Sequence, residues 1–203
     1  RRLGQTVFTR SGCCASRPTI EQCEVLAASG PCRQRVWRSQ FVLQLLALKR
    51  LRFMSGLQIK RVDYLNGQDA EALVFLLDAY AQDPMGGGEA LQPENAARLC
   101  KDLSSIAGAA SFIAWLNEQP IGLINCFEGY STFKAKPLLN VHDIAVLSVH
   151  RGQGIGQALL KAAEDHARQR GCCKLTLEVL SGNAPAMASY KRFGFAQYEL
   201  DPA

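Results

Sequence analysis

Long apolar runs are missing from this 203-residue chain. Stretches such as Leu45 to Leu48 fall far short of the roughly 20 residues that a membrane-spanning helix needs, so the expectation is a soluble, cytoplasmic protein with no membrane partner. The eight cysteines include no Cys-x-x-Cys pair, and no convincing secretory signal precedes them, which removes the usual grounds for a disulfide framework or a metal role. Reduced thiols are expected instead. Cys100 and Cys126 stand among apolar neighbours, where a thiol packs as a small hydrophobe, and Cys172 and Cys173 open a strand.

Acidic residues are scarce in one region only. Residues 1–53 carry ten Lys/Arg against two Asp/Glu, and residues 54–203 carry thirteen against sixteen, so the net charge of +5 divides into +8 and −3. A basic excess spread over the whole chain would suggest nucleic acid. Here the cations are confined to the first segment, and they are neither interleaved with aromatics nor set on a helical face, so no nucleic-acid partner is expected. That segment also lacks a sustained strand or helix period before Phe41 to Leu48, and the first methionine is Met54. The reading is a basic extension, residues 1–53, outside the fold, either upstream read-through or a targeting segment. A single domain over residues 54–203 is then expected to fold and to hold every ligand contact.

What is present suffices for one core: 48% of the chain is hydrophobic and 20% charged. From Leu57 the elements alternate. Leu57 to Tyr64 reads as a strand, and Asp69 to Ala81 as a helix with Leu73, Leu76, Leu77 and Tyr80 on its inner face. Asp83-Pro84 and three glycines make a loop, and Pro93 to Ile106 reads as a second helix turning Ala96, Leu99, Cys100 and Leu103 inward. Strands follow at Ser111 to Leu116, Ile121 to Tyr130 and Leu138 to Val149. A helix over Gly154 to Arg170 faces inward through Ile155, Leu159, Leu160 and Ala163, and ends at Gly171. Lys174 to Leu180 is a strand, about Ala184 to Arg192 a short helix, and Phe195 to Leu200 a last strand. This order implies an α/β or α+β fold: a central mixed, twisted sheet of about six strands flanked by helices.

Arg151-Gly152-Gln153-Gly154-Ile155-Gly156 joins a strand to a helix. Glycines there let backbone N–H groups converge at a helix N-terminus, a natural seat for pyrophosphate. Gln157 stands where a dinucleotide fingerprint needs its third glycine, and Gly156-Gln157-Ala158 stands where a P-loop needs Gly-Lys-Ser/Thr, so both of those loops fail. Read alone, the hexapeptide is equally a tight strand-to-helix turn. Downstream stand Asn183, Ala186, Tyr190, Gly194 and Phe195.

Together the two segments resemble the GNAT superfamily of N-acetyltransferases: the Arg/Gln-x-x-Gly-x-Gly/Ala signature at Arg151, Gly154 and Gly156, and Asn-x-x-Ala-x-x-x-Tyr-x-x-x-Gly-Phe from Asn183. The resemblance covers about the whole of residues 54–203. It implies a GNAT-type acyl-CoA-binding fold with acetyl-CoA as co-substrate and no metal. The loop Arg151, Gly152, Gln153, Gly154, Ile155 and Gly156 would hold the pyrophosphate, the strand backbone at Ala145 and Val146 would pair with the pantetheine arm, and Asn183 would orient that arm or a water. As a bare feature Asn183 could equally cap its helix. Tyr190 is the implied acid for the departing thiolate, since a phenol with an ordinary pKa near ~10 stays protonated at neutral pH.

The base is open between Glu178, matching the position used by ribosomal-protein alanine acetyltransferases, and His142, where polyamine acetyltransferases carry a glutamate. His142 and the following Asp143, adjacent in a strand, are expected to point to opposite faces. The implied activity is acetyl transfer to a primary amine in a ternary complex, and the alternative is a non-catalytic acyl-CoA sensor on the same fold. Loops at residues 83–92 and 127–136 are expected to face the acceptor, with Asp83, Glu89 and Glu128 favouring a cationic amine. A homodimer is a compatible assembly.

Overall fold

The computed structural model describes residues 5–11 and 56–197. Its strands are β1 (Gln5–Ser11), β2 (Leu57–Arg61), β3 (Ala109–Leu116), β4 (Gln119–Ser131), β5 (Lys136–Val146), β6 (Lys174–Leu180) and β7 (Ala196–Gln197). Its helices are α1 (Gly67–Ala81), α2 (Pro93–Ser105), α3 (Ile155–Gln169) and α4 (Ala184–Phe193), and a 3-10 turn at Ser148–His150 follows β5. The strands form one seven-stranded sheet in the order β2-β3-β4-β5-β6-β1-β7. All the elements read from Leu57 onward are present within a few residues of their expected bounds, and the mixed α/β class holds.

One face of the sheet carries α3. The α3 stripe Ile155, Leu159, Leu160 and Ala163 is at most 1% exposed, as its 3.6-residue spacing dictates. It packs on the alternate residues of β4 that include Ile124 and Cys126, and Gly122 admits Leu159 closely, a Cβ there standing 3.4 Å from the leucine Cδ1. The other face carries a cluster of Leu73 and Leu76 from α1, Leu103 from α2 and Ile113, Trp115 and Leu123 from the sheet. Asn66 caps α1 by accepting from the Asp69 amide, and Pro93 opens α2. Cys100 and Cys126 are thiols, and burial pushes the Cys126 thiol up.

Three features differ from the sequence reading. First, Gln5–Ser11, assigned above to an extension outside the fold, is a strand of the sheet, paired antiparallel with β6 from Gln5↔Leu180 to Ser11↔Lys174. A short strand in which Phe8 alone of residues 6–11 is fully buried shows too little periodicity to stand out, yet the edge of β6 needs a partner. Residues 12–53, including Phe41 to Leu48, lie outside the described residues, as do residues 198–200 of the expected last strand.

Second, β4 and β5 slip register between Asn125 and Cys126: Asn125 pairs with Asp143 and Cys126 with Val141, leaving His142 as the extra residue of a bulge. A bulge sets its two residues side by side rather than on alternate faces. Accordingly the His142 ring meets Phe127 edge-on at 5.6 Å, and Asp143 accepts from Asn125 Nδ2 at 3.0 Å. Asn125 and Phe127 share a face of β4, so His142 and Asp143 share it too.

Third, the hairpin between β4 and β5 is remote from the phosphate loop. β5 runs from Lys136 at the hairpin to Val146 at the loop, about 33 Å at strand rise. Glu128 binds Arg170, which follows the far end of α3. The segment 127–136 therefore does not border the loop, because strand direction carries it to the opposite end of the sheet.

Candidate active site

β5 and β6 are parallel, and their register covers only Leu139↔Leu175, Asn140↔Thr176 and Val141↔Leu177. Beyond Val141 the two strands part, and β5 continues alone to Val146, so its backbone there lacks a ladder partner on the β6 side among the described residues. A crevice of about 520 Å³ opens at this end of the sheet, within the size range of small-molecule sites. Its walls include Ile144, Ala145 and Val146 from β5, most of the loop and the first turn of α3, the α4 residues Pro185, Ala186, Ser189, Tyr190 and Arg192, and Tyr80 from α1.

The loop is built to leave amides free. Gly152 and Gly154 have φ of +77° and +91°, a region that L side chains adopt reluctantly. Gly154 is the N-cap of α3 and offers no side-chain acceptor, so the first-turn amides have none from that cap, and they lie at the positive end of the helix dipole. Gly156 has ordinary helical backbone and no atom within 4 Å of where a Cβ would sit, so it opens directly on the crevice. An anion is the ligand that such a set of donors fits.

Arg151 is committed elsewhere. Its Nε donates to the Val146 carbonyl at 3.0 Å and its Nη2 pairs with Asp83 at 2.8 Å, which ties the segment after α1 to the end of β5. The hydrogen bond from Arg151, with another from the Met85 amide, holds the Asp83 carboxyl below the usual carboxylate range. Glu128 is likewise neutralised by Arg170. Two of the three acids expected to favour a cationic acceptor are thus already paired.

Asn183 caps α4, its side chain accepting from the Ala186 amide at 3.2 Å, and it also lines the crevice. Gln153 donates to the Val149 carbonyl at 3.3 Å and does not line the crevice. Gln157, which replaces a glycine of the dinucleotide pattern, reaches from α3 to the carbonyl and hydroxyl of Ser189 on α4 at 3.0 and 2.9 Å, fixing the width of the cleft. Tyr190 is 7% exposed, its ring against Phe8 and Phe195. Burial, with Tyr80 nearby, raises its hydroxyl above the ordinary phenol pKa, so it remains a proton donor across the neutral range.

The structure therefore gathers Ala145, Val146, Arg151, Gly152, Gly154, Ile155, Gly156, Asn183 and Tyr190 around one crevice and leaves Glu178 and His142 off its walls. Leu177 pairs with Phe8, which meets Tyr190, so Tyr190 belongs to the α3 side of the sheet. The bond from Asn140 to Thr176, 3.0 Å, places those two residues on the opposite face. Glu178, two residues beyond Thr176, shares that face, as does His142 beside Phe127, the partner of Asn140. Sequence reasoning missed His150, Ser189 and Arg192 as crevice residues and took Tyr80 for core. Tyr80 lies on the apolar stripe of α1, and beyond Val141, where β5 has parted from β6, it lines the crevice instead of the core.

The comparisons with known proteins follow this geometry. A streptothricin acetyltransferase from Streptomyces lavendulae is 51% identical over 65 residues, 32% of this chain and 34% of that protein. A thialysine N-epsilon-acetyltransferase from Bos taurus is 42% identical over 65 residues, 32% and 38% of the two chains. The matched stretches thus span little more than a third of those relatives' lengths. Among solved structures, an aminoglycoside acetyltransferase from an uncultured soil metagenomic sample, in complex with sisomicin, is similar in fold with a TM-score of 0.63. That match covers 73% of this chain and 94% of the other at 19% identity. The sequence signature described as the Acetyltransferase (GNAT) family matches residues 62–195, most of the chain, and the chain belongs to that family.

Proposed function

We propose that the protein transfers the acetyl group of acetyl-CoA to a primary amine by direct attack in a ternary complex. One observation carries the reading: the first-turn residues of α3, whose cap offers no side-chain acceptor, and Tyr190 line the same crevice. The first-turn amides would hold the CoA pyrophosphate, and the unpaired stretch of β5 near Val146 would meet the pantetheine arm and offer a backbone N–H to the thioester oxygen. A positioned donor of that kind is worth ~3 kcal/mol where water is excluded.

The parting of β5 from β6 gives the reaction two sides. A thioester carbonyl lying in the gap is open to an amine from the face of Glu178, His142 and Asp143, while its sulfur leaves toward Tyr190. The amine nitrogen bonds the carbonyl carbon and the carbon–sulfur bond breaks. Tyr190 gives its proton to the sulfur, and the ammonium proton passes to a base on the other face. Glu178, exposed on β6, is the proposed base. The names of the relatives, built on streptothricin, thialysine and aminoglycosides, point to amine acceptors.

The test is release of free thiol from acetyl-CoA across a panel of primary amines. Amine-dependent release is expected; tight CoA binding with no release from any amine would favour a non-catalytic acyl-CoA sensor. In the same assay Glu178→Gln is expected to lower turnover at least tenfold and to flatten the acidic limb of the pH profile. If His142→Gln or Asp143→Asn flattens that limb and Glu178→Gln does not, the base belongs to the bulge.

A further inference from the structure

Glu164, in the middle of α3, is 0% exposed. A carboxylate so placed needs cations, since an unpaired buried charge is strongly unfavourable. Two of its partners are local: Arg168 at 3.3 Å and Lys161 at 4.0 Å. The third comes from far along the chain, Arg10 of β1, whose Nη2 lies 3.0 Å from Glu164 Oε1.

The same guanidinium does two further things. Its Nη1 donates to the Phe193 carbonyl, one of the last-turn acceptors of α4 that lack a helical donor. Its Cζ lies 4.5 Å from the centre of the Phe193 ring, a cation–π contact. Gly194, which ends α4 with φ of +100°, lies beside the guanidinium, a Cβ there standing 3.5 Å from Nη1. Arg10 is thus a bracket between α3 and the C-terminal end of α4. Phe8, on the same side of β1 two residues earlier, is fully buried, with its ring centre 6.3 Å from that of Tyr190. Tyr190 and Phe193 are three residues apart on α4 and share a face, so β1 seats the face of α4 that carries the phenol.

We propose that Arg10 is a positioning residue for the Tyr190 hydroxyl, bracing α4 to α3 so that the phenol stays aligned with the departing sulfur. This rests on the reading of Tyr190 as the acid. Arg10 is not among the residues that line the crevice, and its effect runs through the placement of α4.

The test is a double-mutant cycle in the full chain, with Arg10→Met, Tyr190→Phe and the double variant compared in turnover and in KM for acetyl-CoA. Arg10→Met is expected to lower kcat about tenfold, as small misplacements of reacting groups do, with KM within about twofold. Arg10→Lys, which keeps the charge on Glu164 without the planar fork, is expected to fall between. Once Tyr190 is phenylalanine, Arg10→Met should lower kcat no further. The same loss factor in both backgrounds would mean that Arg10 only supports the fold, and it overturns the proposal while leaving Tyr190 as the acid. If Tyr190→Phe alone leaves turnover unchanged, the acid assignment fails and the proposal with it. Should Arg10→Met not fold, the Arg10→Lys cycle is read in the same way.

Discussion

Tyr190→Phe should lower turnover by about 10²-fold while leaving CoA affinity and melting temperature nearly where they are, the loss expected for a positioned acid. The ring is held by Phe8 and Phe195 at centroid distances of 6.3 and 6.1 Å, contacts that phenylalanine keeps. What it loses is the donor. Because burial raises the Tyr190 pKa, the protonated form is the working one at neutral pH and above. Wild-type turnover should therefore not decline through loss of this proton until the solution passes the ordinary phenol pKa near ~10. Steady-state kinetics from pH 6 to 10, beside calorimetric titration with CoA, reads both. A variant of near wild-type turnover would remove Tyr190 from the chemistry, and one with equally weakened CoA binding would make it part of the cofactor wall.

Gly156→Val should weaken CoA binding about tenfold or more, the value of one lost hydrogen bond to a charged group, at little cost to the fold. A Cβ at Gly156 meets no protein atom within 4 Å, and valine is a better helix former than glycine. The new methyl groups would stand where the phosphate is expected. Gly154→Val is a different experiment, although the two glycines look equivalent in the motif. With φ at +91° the residue sits where a β-branched side chain is strained, at about 1–3 kcal/mol, so stability and affinity should fall together. Melting curves and CoA titrations of the pair separate the two roles. Equal melting losses in both, with unchanged affinity, would assign the glycines to packing alone.

The contrast between these glycines marks what the sequence could and could not convey. Periodicity located α3 and its buried stripe because four apolar residues at helical spacing have one reading, and Lys174–Leu180 has the bounds assigned to it. The loop and Tyr190 stood out through the family resemblance that their two motifs carry together, since the loop alone reads equally as a tight turn. The bulge at His142 was not, since nothing in the local composition distinguishes an extra residue from a regular one, and it reversed the expected facing of His142 and Asp143. The acids at Asp83 and Glu128 could be counted in the sequence but not their partners, since Arg151 stands 68 and Arg170 42 residues away. The placement of the hairpin depended on strand direction, which a string of residues does not carry.

β1 also constrains the order in which the molecule assembles. Gln5 pairs with Leu180, and Phe8 and Thr9 pair with Gln197 and Ala196, so this strand has no ladder partner until almost all of the described chain exists. At ribosomal rates of about 5–20 residues per second, its apolar residues wait on the order of ten seconds or more after synthesis. The remaining strands up to β5 meet partners much sooner. Closing so long a loop is entropically costly and kinetically late, so docking of β1 is expected to be the last step of folding. Until it occurs, β6 presents an open edge and Glu164 lacks one of its cations. The nascent protein is in that interval most exposed to strand exchange with another copy of itself.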